Sequence, residues 1–63
     1  MMHPVPLWDE RQAAEALSLS VPCLRAWRAK CTGLPYVKLG RAVRYRPQDV
    51  ERFIEAQLVR HSQ

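Results

Sequence analysis

The pattern of apolar and polar positions predicts three short helices, with an alternating segment between the second and the third. The first helix is expected over residues 10–17, because Asp9 is a good N-cap and Gln12, three residues later, completes a capping box. Trp8 directly precedes the cap and can pack on the first turn as a hydrophobic staple. The core face of this helix is expected to consist of Ala13, Ala14, Ala16 and Leu17.

A second helix is predicted from Val21 to residue 30 or 31, after a three-residue turn. Ser20 can cap it, and Pro22 suits its first turn, where the missing N–H leaves no intrahelical partner unpaired. Leu19 in the turn is expected to fill the angle between the two helices. Two short helices joined in this way are what a helix-turn-helix requires. The core face is expected to consist of Leu24, Trp27 and Cys31, which recur at helical spacing.

Two short alternating runs, residues 36–39 and 42–46, predict a β-hairpin. Gly33 is expected to end the second helix in the left-handed conformation. Gly40 and Arg41 lie between the runs, and a glycine in first place suits a type II′ turn. Because a two-stranded hairpin is not stable alone, its apolar face should lie on the helices. That face is expected to contain Val37, Leu39, Val43 and Tyr45, and the opposite face Lys38, Arg44 and Arg46.

The third helix shows the clearest amphipathic pattern in the chain and should begin at Pro47 and fade after Val59. Arg46, just before it, can pair with Asp49 or Glu51. Its apolar face is expected to consist of Val50, Phe53, Ile54, Gln57 and Leu58.

One small domain is therefore predicted over residues 7–59, mainly α with a small β-hairpin. Residues 1–6 are expected to be a flexible N-terminus, and residues 60–63 a frayed C-terminus. A domain of this size buries only about 60% of the surface of its unfolded chain, so its stability should be marginal.

Charge is unevenly distributed along the chain. Residues 20–46 contain seven Lys and Arg residues and no Asp or Glu, whereas all six acidic residues lie outside this segment. The segment therefore carries +7, although the whole chain carries only +4. Such concentrated positive charge is typical of a nucleic-acid binder. The alternative for a charge run alone is a solvated basic face with no partner.

The sequence offers no basis for an enzyme, a metal site, a cofactor or a membrane segment. It contains no Gly-rich phosphate loop, no Ser/His/acid set within the predicted domain and no cluster of metal ligands. Cys23 and Cys31 on one helix would lie roughly 12 Å apart, too far for a disulfide, which needs Cα atoms within about 7 Å. There is no signal peptide and no run of about 20 apolar residues. A cytoplasmic protein with reduced thiols is therefore expected.

The order helix, turn, helix, basic hairpin, helix resembles a known family in three stretches of residues. These are residues 20–28, residues 34–41, and residues 43–47 together with 49–50, and the likeness extends over residues 7–58. The chain resembles the small winged helix-turn-helix family of phage excisionases and AlpA-like regulators, which look like truncated relatives of the MerR DNA-binding domain. The resemblance implies that the second helix enters a major groove of double-stranded DNA. It also implies that the hairpin acts as a wing on the neighbouring backbone or minor groove.

By position, the resemblance also implies which side chains contact DNA. Contacts of the recognition helix would come from Val21, Pro22, Arg25 and Arg28, and contacts of the wing from Lys38, Arg41 and Arg44. The alternative for these arginines is a solvated face. For Tyr36, at the base of the hairpin, packing and phosphate contact both stay open. Trp27 is expected in the core and not stacked on nucleic acid. Ala26 and Cys23 replace larger or hydroxylated residues of relatives, so contacts at those two positions are not carried over.

The leading hypothesis is a sequence-specific DNA-binding protein of the excisionase type, that is, a recombination directionality factor of a mobile genetic element. The resemblance implies that several copies bind adjacent sites and bend the DNA so that a phage-type integrase can assemble. An AlpA- or MerR-like transcriptional regulator would use the same surface at a promoter. A third alternative is a protein-interaction module whose basic face meets an acidic protein.

Overall fold

The computed structural model describes residues 6–59 and contains three helices and one hairpin. Their order is α1 (Glu10–Leu17), α2 (Val21–Ala29), β1 (Val37–Leu39), β2 (Ala42–Arg44) and α3 (Pro47–Ala56). The predicted fold class, mainly α with a small hairpin in a winged helix-turn-helix arrangement, is confirmed. The predicted frayed C-terminus and all but Pro6 of the predicted flexible N-terminus lie outside the described residues.

Helix α1 has the predicted bounds because both of its ends are fixed by local hydrogen bonds. The Asp9 carboxylate accepts from the Gln12 N–H at 2.8 Å, and the Gln12 side-chain oxygen accepts from the Asp9 N–H at 3.0 Å. At the other end, Ser18 adopts the left-handed conformation with φ 57°. The Leu19 N–H then donates to the Ala14 carbonyl at 2.9 Å and closes the last turn.

The core face of α1 is narrower than predicted. Ala13 and Ala14 are buried and Leu17 is half-buried against the core, but Ala16 is exposed. At 3.6 residues per turn, Ala16 points away from the arc that the other three share. The prediction that Leu19 fills the angle between α1 and α2 was also wrong, because Leu19 is exposed and is not among the apolar side chains that pack on the core.

Helix α2 begins as predicted, with the Ser20 hydroxyl accepting from the Cys23 N–H at 3.3 Å. Leu24 is fully buried at the centre of the core. Trp27 is half-buried and packs on Phe53 of α3, with ring centroids 5.5 Å apart. The third predicted core residue of α2, Cys31, is exposed because the helix has already ended before it.

The end of α2 is formed by Cys31, not by Gly33. Cys31 has φ 53°, its N–H donates to the Arg28 carbonyl at 3.1 Å, and the Thr32 N–H donates to the Trp27 carbonyl at 2.9 Å. These two bonds form a Schellman motif with a non-glycine residue in the left-handed position. Gly33 also has a positive φ, and a Cβ there would lie 2.7 Å from Trp27 Cδ2. The glycine is needed so that the chain can pass across the indole ring.

The hairpin has the predicted two-residue turn but not the predicted faces. Gly40 has φ 63°, and β1 pairs with β2 so that Val37 lies opposite Arg44, Lys38 opposite Val43 and Leu39 opposite Ala42. Directly opposed residues share a face of the sheet, so Val37 and Leu39 cannot share one with Val43 and Tyr45. Val43 and Tyr45 pack on the core, whereas Leu39 is 52% exposed.

Trp8 pairs with Tyr45 in an isolated antiparallel bridge beside the hairpin. The Trp8 N–H donates to the Tyr45 carbonyl at 2.8 Å, and the Tyr45 N–H donates to the Trp8 carbonyl at 2.7 Å. Trp8 also packs against the core. This antiparallel bridge holds the start of α1 next to β2, and therefore next to the wing.

Helix α3 begins at Pro47 as predicted and covers the core with its first two turns. The predicted pairing of Arg46 with Asp49 is confirmed, and α3 ends at Ala56, before the predicted Val59. Ile54 and Leu58 of the predicted apolar face are exposed, because only the first part of the helix lies on the core and Leu58 lies beyond the end of the helix. The fully packed core consists of Ala13, Ala14, Leu24, Leu34, Tyr45 and Val50.

Candidate nucleic-acid interface

An open groove of about 640 Å³ lies between the start of α1, helix α2 and the hairpin. Five of the nine lining residues are arginines and two are acidic, so the groove carries an excess of positive charge. We call it the arginine groove. Its lining consists of Asp9, Glu10, Arg11, Val21, Arg25, Arg28, Arg41, Val43 and Arg44.

Arg25 forms a two-pronged ion pair with Glu10 across the helix-turn-helix. Its Nε donates to Oε1 at 3.2 Å and one terminal nitrogen donates to Oε2 at 2.6 Å. The side chain remains 62% exposed. The hydrogen bond to Glu10 and the attraction of its charge raise the pKa of Arg25.

Arg28, one turn further along α2, is held much more tightly. One terminal nitrogen donates to the Tyr45 hydroxyl at 2.8 Å and the other to Glu10 at 3.3 Å. The guanidinium also lies over the Tyr36 ring, 5.9 Å from its centroid. The side chain is only 18% exposed. Burial acts to lower the pKa of Arg28, but the hydrogen bonds to Tyr45 and Glu10 outweigh it and raise that pKa.

Glu10 therefore accepts hydrogen bonds from both arginines of α2. The hydrogen bond from Arg25, reinforced by both arginine charges, outweighs partial burial and lowers the pKa of Glu10 below its ordinary value of 4.5. The carboxylate is charged at neutral pH, and the three side chains together carry a single net positive charge.

The wing contributes two of its three predicted contact residues to the arginine groove. Arg41 is exposed at the turn, and Arg44 is half-buried on β2 with one nitrogen donating to the Val43 carbonyl at 2.8 Å. Lys38 is exposed on β1 opposite Val43 but does not line the groove.

Of the two predicted contact residues at the start of α2, likewise, only one lines the arginine groove. Val21 is half-buried and lines the arginine groove, whereas Pro22 is exposed and lies outside the lining. The structure therefore brings five of the seven predicted site residues together in one groove and leaves Pro22 and Lys38 beside it.

Sequence reasoning missed three charged side chains of the groove: Asp9, which was predicted only as the N-cap of α1, and Glu10 and Arg11 in the first turn of that helix. Arg11 did offer a signal. A cation in the first turn of a helix opposes the helix dipole, so such a residue suggests a role other than helix stability. Glu10 offered none, since an acid at that position suits the dipole, and its arginine partners follow 15 and 18 residues later.

Within residues 6–59, no group of three or more His, Cys, Asp or Glu side chains is placed to hold a metal ion. In the same part of the chain, no helix has the length and apolar character needed to cross a membrane.

Residues 10–58, from the start of α1 to just beyond α3, match the model of a family described as a helix-turn-helix domain. No curated protein and no solved structure is significantly similar to the chain. The matched region contains both helices of the turn, the wing and α3, and a helix-turn-helix domain suggests DNA binding. The chain belongs to this helix-turn-helix family.

Proposed function

We propose that the protein binds double-stranded DNA sequence-specifically, with α2 in the major groove and the hairpin on the adjacent backbone or minor groove. The observation that carries this proposal is the arginine groove, which places arginines of both elements along one concave surface. One sugar-phosphate strand at the edge of the major groove would lie between α2 and the wing. Phosphate contacts of this kind supply a large share of the affinity of DNA-binding proteins.

The reading side chain is proposed to be Arg25. It is well exposed, and an arginine that is bidentate to guanine O6 and N7 is the commonest specific contact in the major groove. Val21, in the first turn of α2, can contact a thymine methyl group, and the exposed Pro22 lies beside it. Arg28 has much less free surface, and its predicted DNA contact would be made from the floor of the groove.

The backbone contacts are proposed to come from the other arginines of the groove and from the neighbouring lysine. Arg41 at the tip and Arg44 on β2 belong to the wing, and Arg11 approaches from α1. Lys38, exposed on β1, would contact the backbone outside the groove. These side chains neutralise phosphates and carry no sequence information by themselves.

We further propose that the protein is of the excisionase type, acting by binding and bending and not as an enzyme. A single module this small buries on the order of 600–1,000 Å² on DNA, so useful affinity needs several copies on adjacent sites. Together, these copies would bend the DNA and assist a phage-type integrase. The resemblance supports this assignment. An AlpA- or MerR-like regulator would use the same surface at a single promoter site.

Footprinting together with gel retardation tests these alternatives, with DNA from the protein's own genetic neighbourhood at two salt concentrations. A ladder of discrete complexes over repeated short sites, and a bend in a circular-permutation assay, is the expected result. A single protected promoter site would favour the regulator. Unretarded DNA even at low salt would overturn the proposal and favour an acidic protein as the partner of the basic face.

A further inference from the structure

Glu10 occupies one particular edge of the Arg25 guanidinium. Its two oxygens accept from Nε and from one terminal nitrogen, at 3.2 and 2.6 Å. A guanidinium has five N–H donors in one plane, and this side-on fork uses two of them. The three remaining donors belong to the two terminal nitrogens. They include the parallel pair that forms the end-on edge.

The end-on edge has the right geometry for a guanine. Two parallel N–H groups on the terminal nitrogens match the O6 and N7 acceptors in the major groove. Arg25 can therefore keep its ion pair with Glu10 and still make a bidentate base contact. An unsupported arginine at an exposed helix position would have to lose its rotamer freedom on binding.

The Glu10 side chain is itself held in place by contacts that lead back to the core. It accepts a third hydrogen bond, from Arg28, and Arg28 donates to the hydroxyl of the fully buried Tyr45. The backbone of Glu10 lies within the capping box of α1, directly after Asp9. A continuous set of contacts therefore runs from the buried tyrosine through Arg28 and Glu10 to the exposed Arg25.

We propose that Glu10 is a positioning residue for base recognition, which presents the end-on edge of Arg25 to a guanine in the major groove. This inference rests on the DNA-binding function proposed above and names the residue that gives that function its selectivity. Glu10 also places a negative charge beside the DNA, which opposes contact with phosphates of any sequence. Its effect is therefore to raise discrimination between sequences while lowering general affinity.

The test measures discrimination directly. The full chain first selects a duplex from a randomised library, and dissociation constants are then measured for the selected duplex and for a scrambled duplex of equal length. For Glu10→Gln we expect the ratio of the two constants to shrink by about tenfold, since a bidentate base contact discriminates by roughly that factor. Affinity for the scrambled duplex should rise or stay unchanged. Glu15→Gln, an equal charge change at an exposed position of α1 outside the groove, should leave the ratio unchanged.

Two further variants separate positioning from a structural role. In an Arg25→Ala background, Glu10→Gln should have no additional effect on the ratio, because the residue it positions is gone. Glu10→Asp keeps the charge, but its side chain is one methylene too short to keep both hydrogen bonds with Arg25. It should lose discrimination without the gain in general affinity. Thermal unfolding of each variant confirms that the fold is kept.

Several outcomes would overturn the inference. One is an unchanged ratio in Glu10→Gln; if both duplexes then bind more tightly by the same factor, Glu10 is a competitor of DNA for Arg25. Another is an equal fall of the ratio in the Arg25→Ala background. If the wild-type chain selects no duplex at all, the proposed function itself fails, which is a different result from selective binding that is independent of Glu10.

Discussion

Asp49 is a charged side chain that the described part of the fold buries almost completely, and its position explains why this is tolerated. Arg46 donates to both of its oxygens, at 2.7 and 3.0 Å. The carboxylate also lies in the first turn of α3, where the positive end of the helix dipole favours an anion. A buried charge is acceptable when its hydrogen bonds are satisfied in this way.

The stability of the fold should therefore depend on the ionisation of Asp49. Hydrogen bonding from Arg46 outweighs burial and lowers the pKa of Asp49 below its ordinary value of 3.8. For a lowered pKa, the stabilisation is fully present above the unfolded pKa and is lost as the pH falls through the folded one. We expect Asp49→Asn to lower the free energy of unfolding by about 1–2 kcal/mol at neutral pH. The loss relative to wild type should shrink below about pH 4.

Denaturant titrations between neutral and strongly acidic pH measure this difference. Glu51→Gln is the matched control, because it removes an exposed acid from the same part of α3. A deficit of Asp49→Asn that stays constant from neutral to acidic pH would show that the ion pair with Arg46 contributes nothing to stability.

Individual side chains also show where sequence reasoning stops. Arg25 and Arg28 look equivalent in the sequence, three residues apart on one helix. The structure leaves Arg25 exposed and holds Arg28 on Tyr45, because the hairpin brings that hydroxyl under the second arginine only. A contact between residues 17 positions apart leaves no mark in the local pattern.

At the scale of elements, features determined by neighbouring residues were predicted well. The bounds of α1 follow from its capping box, and the turn of the hairpin follows from Gly40. Features that depend on three-dimensional geometry were predicted less well. The faces of the hairpin were assigned wrongly because a two-residue turn fixes which residues oppose each other, and the apolar pattern alone suggested a different register. The end of α2 was misplaced because Cys31, a residue that rarely adopts a positive φ, takes the left-handed position.

The connection from α2 to the hairpin should tolerate only a glycine at position 33. Gly33→Ala would combine a strained φ of +74° with a Cβ only 2.7–2.9 Å from the Trp27 ring. Trp27 is packed on Phe53 and cannot move freely. We expect the free energy of unfolding to fall by about 2–4 kcal/mol, the sum of left-handed strain and overpacking. Thermal or denaturant unfolding measures the loss.

Gly40→Ala is the matched control for this prediction. Gly40 has a similar φ of +63°, but a Cβ there would meet nothing within 4 Å. The control should therefore lose only the cost of the backbone conformation, about 1–2 kcal/mol. Equal losses of unfolding free energy in the two variants would mean that the contact with Trp27 contributes nothing to the effect of Gly33→Ala.

At the scale of the whole molecule, folding brings arginines from separate parts of the sequence together on one concave surface. The chain carries +4, but five of its arginines line one groove. Charge counting along the sequence predicted an anionic partner and could not predict the shape. The bridge between Trp8 and Tyr45 draws α1 against the hairpin, and α1 adds Glu10 and Arg11 to the groove. Such long-range pairing has no local signature, so the position of these two residues beside the hairpin could only be found from the structure.

The salt dependence of DNA binding should report this surface quantitatively. The logarithm of the association constant falls with the logarithm of the salt concentration, with a slope of about −0.9 for each phosphate neutralised. Three or four phosphate contacts, from Arg11, Arg41, Arg44 and Lys38, predict a slope of about −3 to −4. Arg41→Ala should reduce the magnitude of the slope by about one, equally on selected and scrambled duplexes, because a wing contact to the backbone is indifferent to sequence.

Arg52→Ala is the matched control for the predicted change in slope. Arg52 is an exposed arginine of α3 outside the arginine groove, so its removal changes the net charge by the same amount without removing a phosphate contact. Binding titrations over a series of salt concentrations should give the wild-type slope for Arg52→Ala and a shallower one for Arg41→Ala. If both variants shift the slope alike, DNA responds to the overall charge of the molecule. The arginine groove would then not be the surface that meets the phosphates.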